Sequence, residues 1–314
     1  MKSHPLSLMF DFMKSRFKLY NIIWLLVLQL TAVPLAACSS VSDTLGDGYS
    51  DSLTFARTRW TTQTCNGFKL HQHHFLSDSL FGSNQYISYL SIPPSSPRRL
   101  AFVADTVLSS TSSMALRYNA YAAVNGTFFD MDLGNPICYL RIDGQELGEN
   151  TPGKTDTIHR KYYQYATLLL RNGLPRLVVP DSSRCWERSL RDSNIMTAGP
   201  MLIHQGKPVA QRDDRTFVTR RHNRTALGIR PDGTVLLVAV DGRFKQFAEG
   251  FSLPELTQVM LWLGCSEAVN LDGGGSTTMY VRGAPNNGIV NYPSDNCRFS
   301  HDGERPVSNI LIVK

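Results

Sequence analysis

The sequence is short of charge and of long apolar runs: Asp, Glu, Lys and Arg make up 18% of its 314 residues. A hydrophobic share of 42% excludes a disordered or collagen-like chain, and no succession of long apolar stretches suggests a multi-span membrane protein. No CxxC pair or Cys/His spacing announces zinc, no GxSxG elbow is present, and no repeat of 20 to 50 residues is visible. A chain of this size can bury a sizeable core without disulfide staples.

The formal net charge of +6 would hint at a nucleic-acid partner if it were spread along one groove. Half of it lies in residues 1–37, where Lys2, Lys14, Arg16 and Lys18 face only Asp11, so no nucleic-acid partner is expected. The basic start leads into Ile22–Leu28 and then Leu35-Ala36-Ala37-Cys38, the order of a signal peptide. The run from Ile22 to Ala37 is too short and interrupted for a comfortable membrane span. It resembles the lipobox of bacterial lipoproteins, in which the cysteine is lipidated. The expectation is therefore a signal over 1–37, lipid on Cys38, a flexible Ser/Asp/Gly-rich tether over 38–52, and a body over 53–314 anchored at the bacterial cell envelope. Cys65, Cys138, Cys185, Cys265 and Cys297 remain, an odd number that leaves at least one unpaired; Cys265 reads as a buried thiol. His71, His73 and His74 read as the solvated face of a strand.

Apolar and β-branched runs predict strands at 85–92, 100–104, 165–170, 177–179, 225–229, 235–240, 267–271, 277–281 and 307–313. Helices are few. One candidate covers 113–121. The clearest covers 252–263, where Ser252 and Glu255 form a capping box, Pro254 sits in the first turn, and Leu256, Val259, Met260 and Leu263 make one apolar face. The pattern predicts a single α+β domain around a mixed, mainly antiparallel sheet with a few flanking helices.

Polar strings close several apolar strands, where a sheet presents side chains to a cleft. They are Asn125–Asp130, Arg224–Gly228, Asp241-Gly242-Arg243 and Asn270–Thr278. Gly273, Gly274 and Gly275 in succession imply a sharp turn or a close approach of backbone to ligand. A tight hairpin with a bulge is the plainer alternative, and the absence of a following lysine excludes a Walker loop at this turn. Asp130, Asp241 and Asp272 each adjoin a strand end; singly they suit turn capping, and together they suit glycoside chemistry, in which carboxylates serve an oxocarbenium-like centre. Arg224, Arg243 and Arg305 could grip phosphate through forked hydrogen bonds. Ser276 as an acyl-transfer nucleophile lacks an elbow and a well-placed histidine.

Read together, AVNGTFFD (123–130), TAGPMLI (197–203), RTALGI (224–229), VDGR (240–243), NLDGGGSTTM (270–279) and RPVSN (305–309) resemble the phosphodiester glycosidase family, over roughly Gly67 to the C-terminus. The resemblance implies hydrolysis of a sugar-1-phosphodiester, of the N-acetylglucosamine-1-phosphodiester kind, on the glycosidic side, giving free sugar and a phosphomonoester. It implies no required redox or nucleotide cofactor and a glycan or sugar-phosphate as the partner; no metal ligand is assigned, although an ion among the three aspartates, with oxygen ligands, would be calcium or magnesium. It assigns Asp272, Asp241 and Asp130 as catalytic candidates. Asn125, Arg224, Arg243, Gly273, Gly274, Gly275, Ser276, Thr277 and Arg305 become substrate-binding candidates. The loops of 136–180 would select the substrate. A surface lipoprotein that binds phosphoglycan without cleaving it is the alternative.

Overall fold

The computed structural model describes residues 42–152, 160–181, 183, 185–211 and 216–314, residues 42–49 by backbone alone. In chain order the elements are α1 (Ser42–Arg57), β1 (Thr61–Cys65), β2 (Phe68–Leu80), β3 (Ser83–Ile92), β4 (Leu100–Ser109), α2 (Thr111–Arg117), β5 (Ala122–Asn125), β6 (Leu140–Ile142), β7 (Gln145–Gly148), β8 (Ala166–Arg171) and β9 (Leu174–Val178). Then come β10 (Ile195–Ala198), β11 (Met201–His204), β12 (Lys207–Pro208), α3 (Thr216–Thr219), β13 (Arg224–Ile229), β14 (Val235–Asp241), α4 (Leu253–Trp262), β15 (Glu267–Asn270), β16 (Met279–Val281) and β17 (Val307–Val313). The expected tether is helical from Ser42 on. Its apolar end explains this: Phe55 is buried against Phe75, Trp60 and Trp262, which fixes the last turns of α1.

The α+β class holds, with three sheets and every pairing among the described strands antiparallel. The largest runs β1-β2-β3-β14-β13-β15-β11-β12, a second runs β7-β6-β10-β8-β9, and a third runs β16-β5-β17-β4. Side-chain alternation divides the core. On β14, Leu237 and Ala239 enter the core shared by the three sheets, whereas Leu236, Val238 and Val240 pack under α4. Both faces are covered, so β14 is buried throughout and reads as a continuous apolar run. Helix α4 keeps its predicted capping box, and Leu256, Val259 and Met260 sit in the second core. The third core lies under α2, on the outer face of the smallest sheet. Cys65, Cys138, Cys185, Cys265 and Cys297 are all free thiols, and Cys265 is buried as expected.

Register brings the informative segments together. β13 starts beside the end of β14, with Arg224 opposite Val240, and beside the end of β15, with Ala226 opposite Asn270. β5 ends at Asn125 in the adjoining small sheet.

Candidate functional site

β15 belongs to the largest sheet and β16 to the smallest, so the glycine-rich segment crosses between sheets instead of closing a hairpin. Each glycine meets a different neighbour in the space a side chain would need. A Cβ on Gly273 would stand 2.8 Å from the Asn223 carbonyl oxygen. On Gly274, which also has φ +63°, it would meet the Arg243 guanidinium at 2.7 Å. On Gly275 it would meet Arg305 and Asp295, both nearer still. The three glycines carry no side chain because a backbone carbonyl, two guanidinium groups and the Asp295 carboxylate occupy that volume. The N–H groups of the turn are not an open phosphate cradle: those of Gly273, Gly274, Ser276 and Thr277 donate to Asp272 Oδ1 and to the carbonyls of Asn223, Gly273 and Gly274.

Asp272 is gripped by its backbone. Its N–H donates to the Gly126 carbonyl at 3.0 Å, and its own carbonyl accepts from Asn125 Nδ2 at 2.6 Å. Burial pushes its carboxyl up to about 6; the Ser276 hydroxyl, the Gly273 N–H and the charges of Arg305 and Arg243 oppose that rise. The half-buried Asp272 therefore changes charge near neutrality while facing two cations. Arg243 is exposed and holds a left-handed backbone at φ +69°, a conformation that costs energy in a non-glycine residue. Arg305 is aligned by Asp295, whose Oδ1 accepts from Nε at 2.8 Å and Nη2 at 2.6 Å. Nearby, burial and the charges of Arg224, Arg243 and Arg220 push His222 down to about 4, so its ring is neutral at pH 7. Arg243, Arg305, Asp295 and Asp272 thus converge on the glycine turn, two guanidiniums with two carboxyl groups.

Other candidates turn inward. Asn125 accepts from the Thr225 hydroxyl at 2.7 Å while its amide supports Asp272, so both ends of its side chain are engaged. Thr277 is fully buried and accepts from Thr225, and Ser276 is fully buried with a hydroxyl that lacks a well-aligned partner. Arg224 shares the α4-facing parity of Ala226, so it points away from Thr225 and Asn125. It is 2% exposed and donates to the carbonyls of Phe251, Phe217 and Arg220, which makes it a tie between loops instead of a free phosphate ligand. Asp241 is fully buried, its oxygens accepting from Asn291 Nδ2 at 2.8 Å and the Tyr292 N–H at 2.9 Å; burial raises its pKa to about 7. Asp130 Oδ1 accepts the N–H groups of Asp132 and Leu133, as a loop cap does. Cys38 lies outside the described residues.

Several supports carried no signal of chemistry in the sequence. The Asn309 side chain bonds both the N–H and the carbonyl of Thr127, and a Cβ on Gly126 would collide with its Oδ1. The Thr127 hydroxyl donates to the Thr197 carbonyl, and the Thr197 hydroxyl donates to Glu187, which pairs with Arg160 in the interior. Asn223 clasps the Gly242 main chain at both its N–H and its carbonyl. Asn125, Asn270 and Asn309, one in each of three of the six motifs, were the available clue, since a buried amide can join two backbones at once. His71 of the histidine cluster bonds Thr62 and Ser91, and among the described residues no group of three or more His, Cys, Asp or Glu is disposed to hold a metal ion.

A family model described as phosphodiester glycosidase matches residues 118–314. The chain is 38% identical over 82 residues to the N-acetylglucosamine-1-phosphodiester alpha-N-acetylglucosaminidase of Bos taurus, covering 26% of this chain and 14% of that protein. It is 35% identical over 97 residues to the SPbeta prophage-derived uncharacterized protein YomE of Bacillus subtilis, covering 31% of this chain and 15% of that one. These alignments thus span a small part of either relative. The solved catalytic domain of zebrafish N-acetylglucosamine-1-phosphodiester alpha-N-acetylglucosaminidase, auto-inhibited by its pro-peptide, superposes with a TM-score of 0.59 at 20% identity, over 82% of this chain and 88% of that one. A hypothetical protein from Synechocystis superposes at 0.55 and 18% identity, over 82% of this chain and 64% of its own. At these identities the structural likeness establishes the fold.

Proposed function

The chain belongs to the phosphodiester glycosidase family, and from that premise we propose that it hydrolyses a sugar-1-phosphodiester of the N-acetylglucosamine-1-phosphodiester kind. Water adds at the anomeric carbon, the C1–O bond breaks, and free sugar and a phosphomonoester are released. The observation that carries the reading is the glycine turn with Arg243 and Arg305 laid over it beside Asp272.

The physical argument runs from charge. A phosphomonoester is a good leaving group once its developing charge is matched, and Arg243 together with Arg305, the latter aligned by Asp295, supplies cations for that match. Ionised Asp272 then has the sign needed next to an oxocarbenium-like centre. Asp241 holds the 291–292 loop from below, and Asn125 holds Asp272 in position.

The test is release of sugar from N-acetylglucosamine-1-phospho-methyl by the purified protein, with Asp272→Asn alongside. The expected result is turnover by the wild type and a loss of at least about a hundredfold in the variant, roughly 2.7 kcal/mol. Binding of a phosphoglycan by folded protein with no sugar released would leave a binding module in place of an enzyme. A variant within about tenfold of wild type would remove Asp272 from the chemistry.

A further inference from the structure

Charge also gathers at the strand ends farthest from the glycine turn. β5 runs from Ala122, opposite Val313, to Asn125, opposite Ile310, and β14 runs from Val235 to Asp241. The candidate site therefore lies at one end of these strands, and Tyr121, Val235 and Lys314 lie at the other. The main chain ties this far end together: the Lys314 N–H donates to the Arg99 carbonyl, the Leu100 N–H to the Gly173 carbonyl and the Arg282 N–H to the Tyr121 carbonyl.

Arg98, Arg99, Arg171, Arg191, Arg282 and Lys314 stand here against two carboxylates, Asp143 and Asp192. That is an excess of four, whereas residues 38–314 as a whole hold an excess of three, so the remainder of that stretch is slightly acidic. Asp192 is engaged by Arg171 at 3.0 Å, and Asp143 accepts from the Asn194 amide at 3.2 Å. Among the described residues the other five cations have no carboxylate at ion-pair distance. Main-chain carbonyls and a ring hold two of them instead. Arg98 Nε donates to the Asn66 carbonyl at 2.6 Å and Arg282 Nε to the Ala120 carbonyl at 3.0 Å, and both guanidiniums lie over the Tyr121 ring, at 3.5 and 4.6 Å. Arg171, Arg191 and Lys314 border an open polar cleft of about 380 Å³. Leu174, on the hairpin next to Arg98 and Arg99, is 53% exposed.

Like charges held without carboxylates repel one another until an anionic partner lies against them. These cations are spread over the ends of several strands, which suits a charged surface more than a single small anion. The exposed Leu174 among them suits a layer of anionic headgroups with hydrocarbon beneath, where apolar contact adds to charge attraction; a soluble polyanion has no use for it. We propose that this end of the molecule is a docking face for an anionic phospholipid bilayer. Docked so, the length of β14 holds the glycine turn roughly 20 Å from the headgroups, at the end that faces solvent. The proposal does not depend on which bond the site cleaves.

The test is co-sedimentation of the full-length Cys38→Ser protein, which removes the expected point of lipid attachment, with vesicles of phosphatidylglycerol and phosphatidylcholine in equal parts. Residues 1–37 are common to all variants, so differences between them report on the body. The combined variant Arg99→Gln, Arg191→Gln and Lys314→Gln should bind roughly a hundredfold more weakly, and Leu174→Ser several-fold more weakly. Lys245→Gln, which removes an exposed cation at the opposite end, should bind as wild type does. All four sites are on the surface, and unchanged melting temperatures confirm that each variant is folded. Wild type that stays in the supernatant, a triple variant that binds as tightly as wild type, or an equal loss in Lys245→Gln would overturn the docking face. So would polyphosphate that binds more tightly than the vesicles and is indifferent to Leu174→Ser, which would give the face to a soluble polyanion.

Discussion

Among single residues, Asp272 and Asp241 show how one chemical group is put to two uses. Both are raised by burial, to about 6 and about 7, yet Asp272 keeps an opening to solvent beside two arginines and Asp241 has none. If ionised Asp272 faces the anomeric carbon, kcat/KM should rise with pH through about 6 and level off above it; a profile that falls through that range would assign the protonated form instead. For Asp241 the sign runs through stability. Its folded pKa exceeds its unfolded one, so the unfolded chain loses its proton first, and stability declines as pH rises from about 4 to about 7. Asp241→Asn should remove that share of the decline, on the order of 1 to 4 kcal/mol, seen as a flatter melting-temperature profile between pH 4.5 and 7.5. An unchanged slope would mean that the carboxyl is not buried as described.

At the scale of elements, the glycine turn separates steric demand from backbone strain. Gly275→Ala puts a Cβ against Arg305 and Asp295, and should cost about 1–3 kcal/mol and more than tenfold in activity. Gly283 has φ +82° and no heavy atom near its Cβ position, so Gly283→Ala should cost only the left-handed backbone, about 1 kcal/mol, with activity intact. Equal activity in the two variants would show that Arg305 does not act through the turn. That three glycines answered a close approach was legible from sequence, but the approaching groups were not, because Arg243 and Arg305 arrive from distant segments. α4 was legible almost to the residue, since its cap and apolar face are local signals. The β1–β2 hairpin was not picked out, although Asn66-Gly67 sits at its tip between Cys65 and Phe68. Arg224 misled for a different reason: every residue of β13 is buried or nearly so, and parity alone does not tell which face meets the cleft.

Across the whole molecule, the site exists because three antiparallel sheets share one core and the chain crosses between them three times near the same place, once where β5 ends at Asn125 and the chain leaves for β6. A second crossing is the glycine turn from β15 to β16. The third is the 199–200 step from β10 to β11, where Asn270 Nδ2 donates to the Gly199 carbonyl. Strand composition made the α+β class readable, whereas the sorting of strands into sheets depends on long-range register that no local pattern carries. The central claim is about which bond this arrangement breaks. The most direct measurement is hydrolysis of N-acetylglucosamine-1-phospho-methyl in ¹⁸O-labelled water, with both products read by mass spectrometry. Attack at the anomeric carbon predicts ¹⁸O in the released sugar and none in the methyl phosphate. Label in the methyl phosphate would mean attack at phosphorus, and would make this site a phosphodiesterase instead of a glycosidase.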